Sequence, residues 1–207
     1  MSIISKIKRK IKIHEYRQQI NAMIDGVLLY RENPQNTSWG SISEEEEAGI
    51  RHAVMQASHY EGPIVEIGAL FGHTTSLIAS LKGKEVPLFA VENFTWNPFG
   101  LPPNEHRLFL RRSIRYALDH CATRIFDGDA ADFYLANAAL RPRMVFIDAG
   151  HDYPSVMQDI EWAVSAGCPI ISGHDYGKGF PGVMRAVDEK FNHEITLYGS
   201  VWIHQKP

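Results

Sequence analysis

The sequence predicts an α/β protein: strand-like apolar runs alternate with helical ones five times, and the chain then closes on a pair of strands. A mostly parallel, doubly wound sheet with an antiparallel C-terminal edge is the architecture this order builds. The segment Pro63–Thr75 agrees, because its β-branched apolar run leads into a glycine turn and a helix start. Three strands also end in an acid or in His-Asp, so their side chains should gather at the carboxyl edge, where such sheets bind ligands. The expectation is a Rossmann-like domain over 63–207. A helical N-terminal extension over 1–62, with a basic arm, packs on it to make one structural domain overall.

Composition narrows the function classes. At 207 residues, one domain with a full core is the prior. A net charge of −3 gives no electrostatic reason to expect nucleic acid. Two isolated cysteines, Cys121 and Cys168, are too few for a disulfide framework or a zinc cluster, and both sit beside apolar strands as buried thiols. No apolar run reaches the ~18 residues of a membrane span, and no signal-peptide core follows the basic start, so a cytoplasmic protein is expected.

The basic segment Ile3–Ile13 interleaves isoleucine with lysine and arginine. It reads as a solvated or partner-contacting arm, or as a peripheral contact with an anionic inner membrane surface. His14–Tyr30 carries apolar residues near helical spacing. Ser43 and Glu46 form a capping box that opens the next helix, and the acidic run around them suits a helix N-terminus, so no other function is assigned to it. That helix buries Ile50, Val54 and Ala57 and delivers the chain into the Pro63 strand.

The glycines of that segment read E-x-G-x-x-x-G, not the dinucleotide pattern G-x-G-x-x-G. Gly68 would let backbone approach a ligand, and Gly72 would let the helix begin close to the sheet. Glu66 would repel a pyrophosphate and attract a cation, which disfavours a nicotinamide cofactor. S-adenosylmethionine, with a sulfonium, an ammonium and no phosphate, suits that charge.

Val86–Glu92 is a second strand, and Glu92 stands about where an acid bonds a ribose. The aromatic loop 93–104 is either a substrate-facing lid or a segment packed on its own helix. Glu105–His120 is expected as one helix with a solvated basic face. Arg124–Asp127 is a strand, and Asp129 either meets an adenine amino group or caps the helix that starts at Ala130. Arg143–Asp148 and Cys168–Ser172 are the fourth and fifth strands, separated by a helix over 153–166. A helix over 182–191 and a hairpin over 194–203 close the chain.

Taken together, Val65-Glu66-Ile67-Gly68 with Gly72, Phe146-Ile147-Asp148-Ala149-Gly150-His151 with Tyr153, and Gly173-His174-Asp175-Tyr176 with Pro181-Gly182-Val183 and Ala186-Val187 resemble class I S-adenosylmethionine-dependent methyltransferases. The likeness runs from Pro63 to the C-terminus. It is greatest to a small branch of sugar and macrolide O-methyltransferases and cephalosporin-hydroxylase-like proteins.

The resemblance implies a cofactor site. Glu66, Gly68 and Gly72 would lie around the methionine part, Glu92 at the ribose and Asp129 at the adenine, with Ala69, Thr74, Asn93, Ala130 and Asp148 also lining the cofactor. It also implies that Asp148 and His151 lie at the transfer site, with His151 the better general base. Asp148, His174 and Asp175 correspond to positions that hold Mg2+ in metal-using relatives. There the pair after the fifth strand is usually acidic; histidine at 174 departs from this, so that either Asp148 and Asp175 hold Mg2+ with waters or another divalent ion accepts the imidazole. The expected partner is a small-molecule acceptor, a sugar or other hydroxylated metabolite, bound by a monomer or homo-oligomer. A non-catalytic cofactor-binding scaffold and a metal-dependent hydrolase are the alternatives.

Overall fold

The computed structural model describes residues 42–206. The basic arm, its membrane contact and the 14–30 helix all lie outside the described residues. Seven strands form one sheet: β1 (Ile64–Ile67), β2 (Leu88–Glu92), β3 (Thr123–Asp127), β4 (Met144–Ile147), β5 (Ile170–Gly173), β6 (Thr196–Tyr198) and β7 (Val201–Gln205). Their order is β3-β2-β1-β4-β5-β7-β6. β1 to β5 pair in parallel, while β7 runs antiparallel to both β5 and β6. The chain builds outward from β1 to β3, then restarts on the other side with β4. The switch therefore falls between β1 and β4, where Ile67 pairs with Ile147 and the chain leaves both strands side by side.

Alternation along the strands supplies two apolar faces. Ile64, Leu88, Ala90, Met144, Phe146, Ile170, Val201 and Ile203 face α1 (Glu44–Ala57), α2 (His73–Leu81), α3 (Pro103–Ser113) and α4 (Arg115–His120). Val65, Ile67, Val91, Val145, Ile147, Ile171 and Trp202 face α5 (Ala130–Ala136), α6 (Tyr153–Ser165) and α7 (Pro181–Phe191). Each fully buried Ile or Phe among them contributes roughly 2 kcal/mol of transfer free energy. Both cysteines are buried, as expected.

Ser43 and Glu46 form the anticipated capping box at the start of α1. The single helix expected over 105–120 is instead two. It starts earlier, with Pro103 in the tolerated first turn, and breaks at Ile114 (φ −100°, ψ 17°). The Ser113 hydroxyl donates to the Phe71 carbonyl and to Leu110 O, three residues back, an arrangement that bends helices. Arg107 is not merely solvated. It makes a two-point pair with Asp127 (2.6 and 2.8 Å) and lies over the Phe94 ring. The 93–104 loop divides its aromatics: Phe94 is buried and Phe99 packs on Phe71, while Trp96 is exposed. None of the described helices is long and apolar enough to cross a membrane.

Candidate active site

The turn after β1 is held from below. The Leu70 N–H donates to Glu92 Oε2 (2.8 Å), and Leu70 O meets His106 Nε2 (2.8 Å). These bonds keep Leu70 at φ +45°, a left-handed conformation that costs a non-glycine residue about 1 kcal/mol or more. The other Glu92 oxygen accepts the Phe94 N–H (2.8 Å), so this carboxylate ties the β1 turn to the β2 loop. Glu92 is thus placed at the sheet edge as anticipated, already holding two backbone donors.

Gly68 (φ +93°) makes room for protein. A Cβ there would lie 2.1 Å from Asp148 O, on the neighbouring exit from β4. Gly72 likewise admits Ile114 Cγ2 and Leu110, so it brings the turn against the broken helix pair. Ala69 is buried and its carbonyl accepts the Gly72 N–H; Thr74 is buried in the first turn of α2. Glu66 lies under the turn, fully buried. Its Oε2 accepts the Thr75 hydroxyl (2.5 Å), and Oε1 has no hydrogen-bond partner among the described residues. Burial carries its pKa up to about 8.

Asn93 and Asp129 come together from β2 and β3: Asn93 Nδ2 donates to Asp129 Oδ1 (2.9 Å). Asp129 is the N-cap of α5, immediately before Ala130, yet makes no side-chain capping bond, which leaves it turned toward Asn93.

The second half of the site forms at the ends of β4 and β5. His151 Nε2 lies 2.7 Å from Asp175 Oδ2, and the His151 ring packs on Phe180 (4.5 Å between centroids). Asp175 sits at φ +62°, which turns its carboxylate between two imidazoles. Its other oxygen is 3.4 Å from His174 Nδ1, and Asp148 Oδ1 is 3.7 Å from the same nitrogen. Asp148, His174 and Asp175 bring one potential ligand atom each to within 4.8 Å of one another.

Charge is strongly coupled here. Burial raises the Asp175 pKa, but bonds to His151 and His174 outweigh it and hold the carboxyl well below its usual range. Burial would lower His174; the Asp148 and Asp175 carboxylates prevail and carry it up to about 10. Asp175 raises His151 against a smaller opposing effect of burial.

One residue in contact with this corner escaped the sequence reading. Glu46 Oε1, from α1, lies 3.3 Å from His174 Nε2 and accepts both the N–H (3.1 Å) and hydroxyl (2.5 Å) of Ser200. No local signal could have found it, because the capping box already accounted for an acid at that position.

No protein-family model and no curated protein matches the sequence. Solved structures do. The TDP-rhamnose 3′-O-methyltransferase CalS11 of calicheamicin biosynthesis is 12% identical, with 93% of each chain covered and a TM-score of 0.61. An O-methyltransferase from Bacillus cereus, in complex with SAH, is 16% identical, with 89% of this chain and 91% of that chain covered and a TM-score of 0.60. TomG from Streptomyces achromogenes, an O-methyltransferase of tomaymycin synthesis in complex with SAM, is 15% identical, with 90% of each chain covered and a TM-score of 0.57. The sheet order, the β1–β4 switch and these likenesses lead to one conclusion: the chain adopts the class I S-adenosylmethionine-dependent methyltransferase fold.

Proposed function

We propose that this protein is an S-adenosylmethionine-dependent O-methyltransferase acting on a hydroxyl of a small molecule, a sugar or other polyhydroxylated metabolite. The observation that carries the reading is the His151–Asp175 pair, set beside Asp148 at the carboxyl edge across the sheet's switch point from the Gly68–Gly72 turn. Buried Glu66, whose Oε1 has no hydrogen-bond partner among the described residues, keeps its proton up to about pH 8, and a cationic cofactor would displace it. When bound, S-adenosylmethionine supplies an electrophilic methyl group on a sulfonium.

The residues supply alignment and a proton acceptor. Asp175 holds the Nε2 edge of His151, which leaves Nδ1 as the basic nitrogen. With the cofactor bound, that nitrogen would take the acceptor hydroxyl's proton as the sulfonium–methyl bond gives way to the oxygen–methyl bond and the thioether leaves, and Asp175 would stabilise the imidazolium. Phe180 fixes the ring face and, being partly exposed, offers an apolar wall to the acceptor.

Asp148, His174 and Asp175 are the residues that would hold a divalent ion. Their two carboxylate oxygens and one imidazole nitrogen form a mixed donor set within ligand range of one another. Such an ion would supply positive charge to orient and acidify the acceptor hydroxyl.

Calorimetric titration with S-adenosylhomocysteine, with and without Mg2+, tests the cofactor; micromolar binding is expected, and no binding in either condition would overturn the reading. Methyl transfer from labelled cofactor to a panel of sugars then tests the chemistry. His151→Ala should lower turnover ~100-fold or more with cofactor affinity preserved.

A further inference from the structure

Glu46 is anchored from three sides. Oε2 accepts the Ser43 N–H (2.7 Å), and Oε1 accepts the N–H and hydroxyl of Ser200. A carboxylate held by that many donors cannot turn away. His174 is buried against it, at 7% exposure, and no hydrogen bond engages its Nε2 among the described residues; Glu46 Oε1 faces that nitrogen at 3.3 Å. The opposite ring edge, Nδ1, faces Asp148 and Asp175. An ionised carboxylate only accepts. A dication bound at Nδ1 would displace the proton that the two carboxylates hold there and leave the other ring proton on Nε2, beside Glu46 Oε1. Nδ1 and one oxygen each of Asp148 and Asp175 lie within ligand range of one another for such an ion.

We infer that Glu46 is a positioning residue: it holds the Nε2 edge of His174 so that Nδ1, with Asp148 and Asp175, forms a mixed nitrogen–oxygen site that takes a borderline transition-metal dication in preference to Mg2+. This rests on the divalent-ion reading of the site given above. Imidazole suits Co2+ and Zn2+, whereas Mg2+ keeps to oxygen donors and water. A carboxylate on the far nitrogen of a metal-binding histidine fixes its tautomer and orientation, and loss of such a partner lowers metal affinity ~10–100-fold.

The test uses the full chain titrated with CoCl2 or MgCl2, followed by calorimetry and by the visible absorption of Co2+. Wild type should bind Co2+ at least ~10-fold more tightly than Mg2+. Glu46→Gln should weaken Co2+ by ~10–100-fold. Glutamine still serves a capping box, so α1 should persist. Ser43→Ala, which removes the cap but not the His174 contact, should leave Co2+ affinity unchanged. In 15N spectra of the Zn2+-loaded wild type, His174 should show a protonated Nε2 and a metal-bound Nδ1.

Wild type that binds neither ion would remove the metal reading itself. Wild type that binds Co2+ no better than Mg2+ would overturn the selectivity. Equal Co2+ affinity in wild type and Glu46→Gln would overturn the role of Glu46 and leave the metal reading standing. Should Glu46→Gln fail to fold, the 15N spectrum decides alone: metal on Nε2 would overturn the inference.

Discussion

Gly68→Ala is the substitution whose cost can be worked most directly from the geometry. Two terms add. At φ +93° a side chain is strained whatever space surrounds it, at roughly 1–3 kcal/mol. The added Cβ would also sit 2.1 Å from Asp148 O, about 0.9 Å inside the 3.0 Å limit that real Cβ contacts respect. The obstruction is backbone, so no side chain can swing aside. Relief requires parting β1 from β4 just where Asp148 N–H donates to Ile67 O (2.8 Å), an overpacking cost of roughly 1–3 kcal/mol. The sum, about 2–6 kcal/mol, is a large share of the ~5–15 kcal/mol that typical domains possess.

Urea denaturation followed by circular dichroism measures it. Gly167→Ala is the control, because Gly167 has φ +73° with nothing among the described residues within 4 Å of the added carbon. The two variants share the conformational penalty, so their difference isolates the steric one. Equal destabilisation would refute the argument that Gly68 is needed for the close approach of the β4 exit. The same displacement moves Asp148, so S-adenosylhomocysteine affinity should fall with stability in Gly68→Ala and stay unchanged in Gly167→Ala.

Three further outcomes follow from buried and coupled groups. Glu66 has its folded pKa raised from 4.5 to about 8, so its proton favours the folded state. That contribution is complete below pH 4.5, shrinks by ~1.4 kcal/mol per pH unit above it, and levels off beyond about 8. The stability difference between wild type and Glu66→Gln, measured by urea melts across that range, should drift against wild type as pH rises; a flat difference would show that Glu66 is not buried as described. Lys82→Met should cost about 2 kcal/mol or more in the same assay, because Lys82 Nζ bonds the carbonyls of Gly83, Val86 and Cys121, which would lose their donor. A base at His151 works as the neutral ring, and Asp175 raises its pKa above 6.5. Methyl transfer should therefore rise with pH through a midpoint above 6.5, and Asp175→Asn should move that midpoint down; a midpoint unmoved or raised would separate the two residues.

The five parallel strands, the closing hairpin and the edge carrying Glu92, Asp148, His151, His174 and Asp175 were all legible from residue order. Each depends on a local pattern: alternation, a glycine turn, an acid at a strand end. What escaped depends on contacts between distant segments. The break at Ile114 arises where Ser113 meets the Phe71 carbonyl, and nothing within 105–120 announces it. Gly68 was legible as a glycine at a strand-to-helix turn, but its close approach to the Asp148 carbonyl just beyond β4 was not. Glu46 was explained fully by its own helix, which hid its second contact with His174.

The hydrogen bond between Glu46 and Ser200 joins residues 154 positions apart. Loop-closure entropy makes such contacts late acquisitions for a folding chain. β1 to β4, with the glycine turn between them, can pair before the hairpin arrives. The His174 corner is buttressed only once β7 has inserted beside β5 and Ser200 has reached α1. A partly folded molecule would thus possess the turn while lacking a braced histidine corner, and competence at that corner would report the completion of folding rather than its onset.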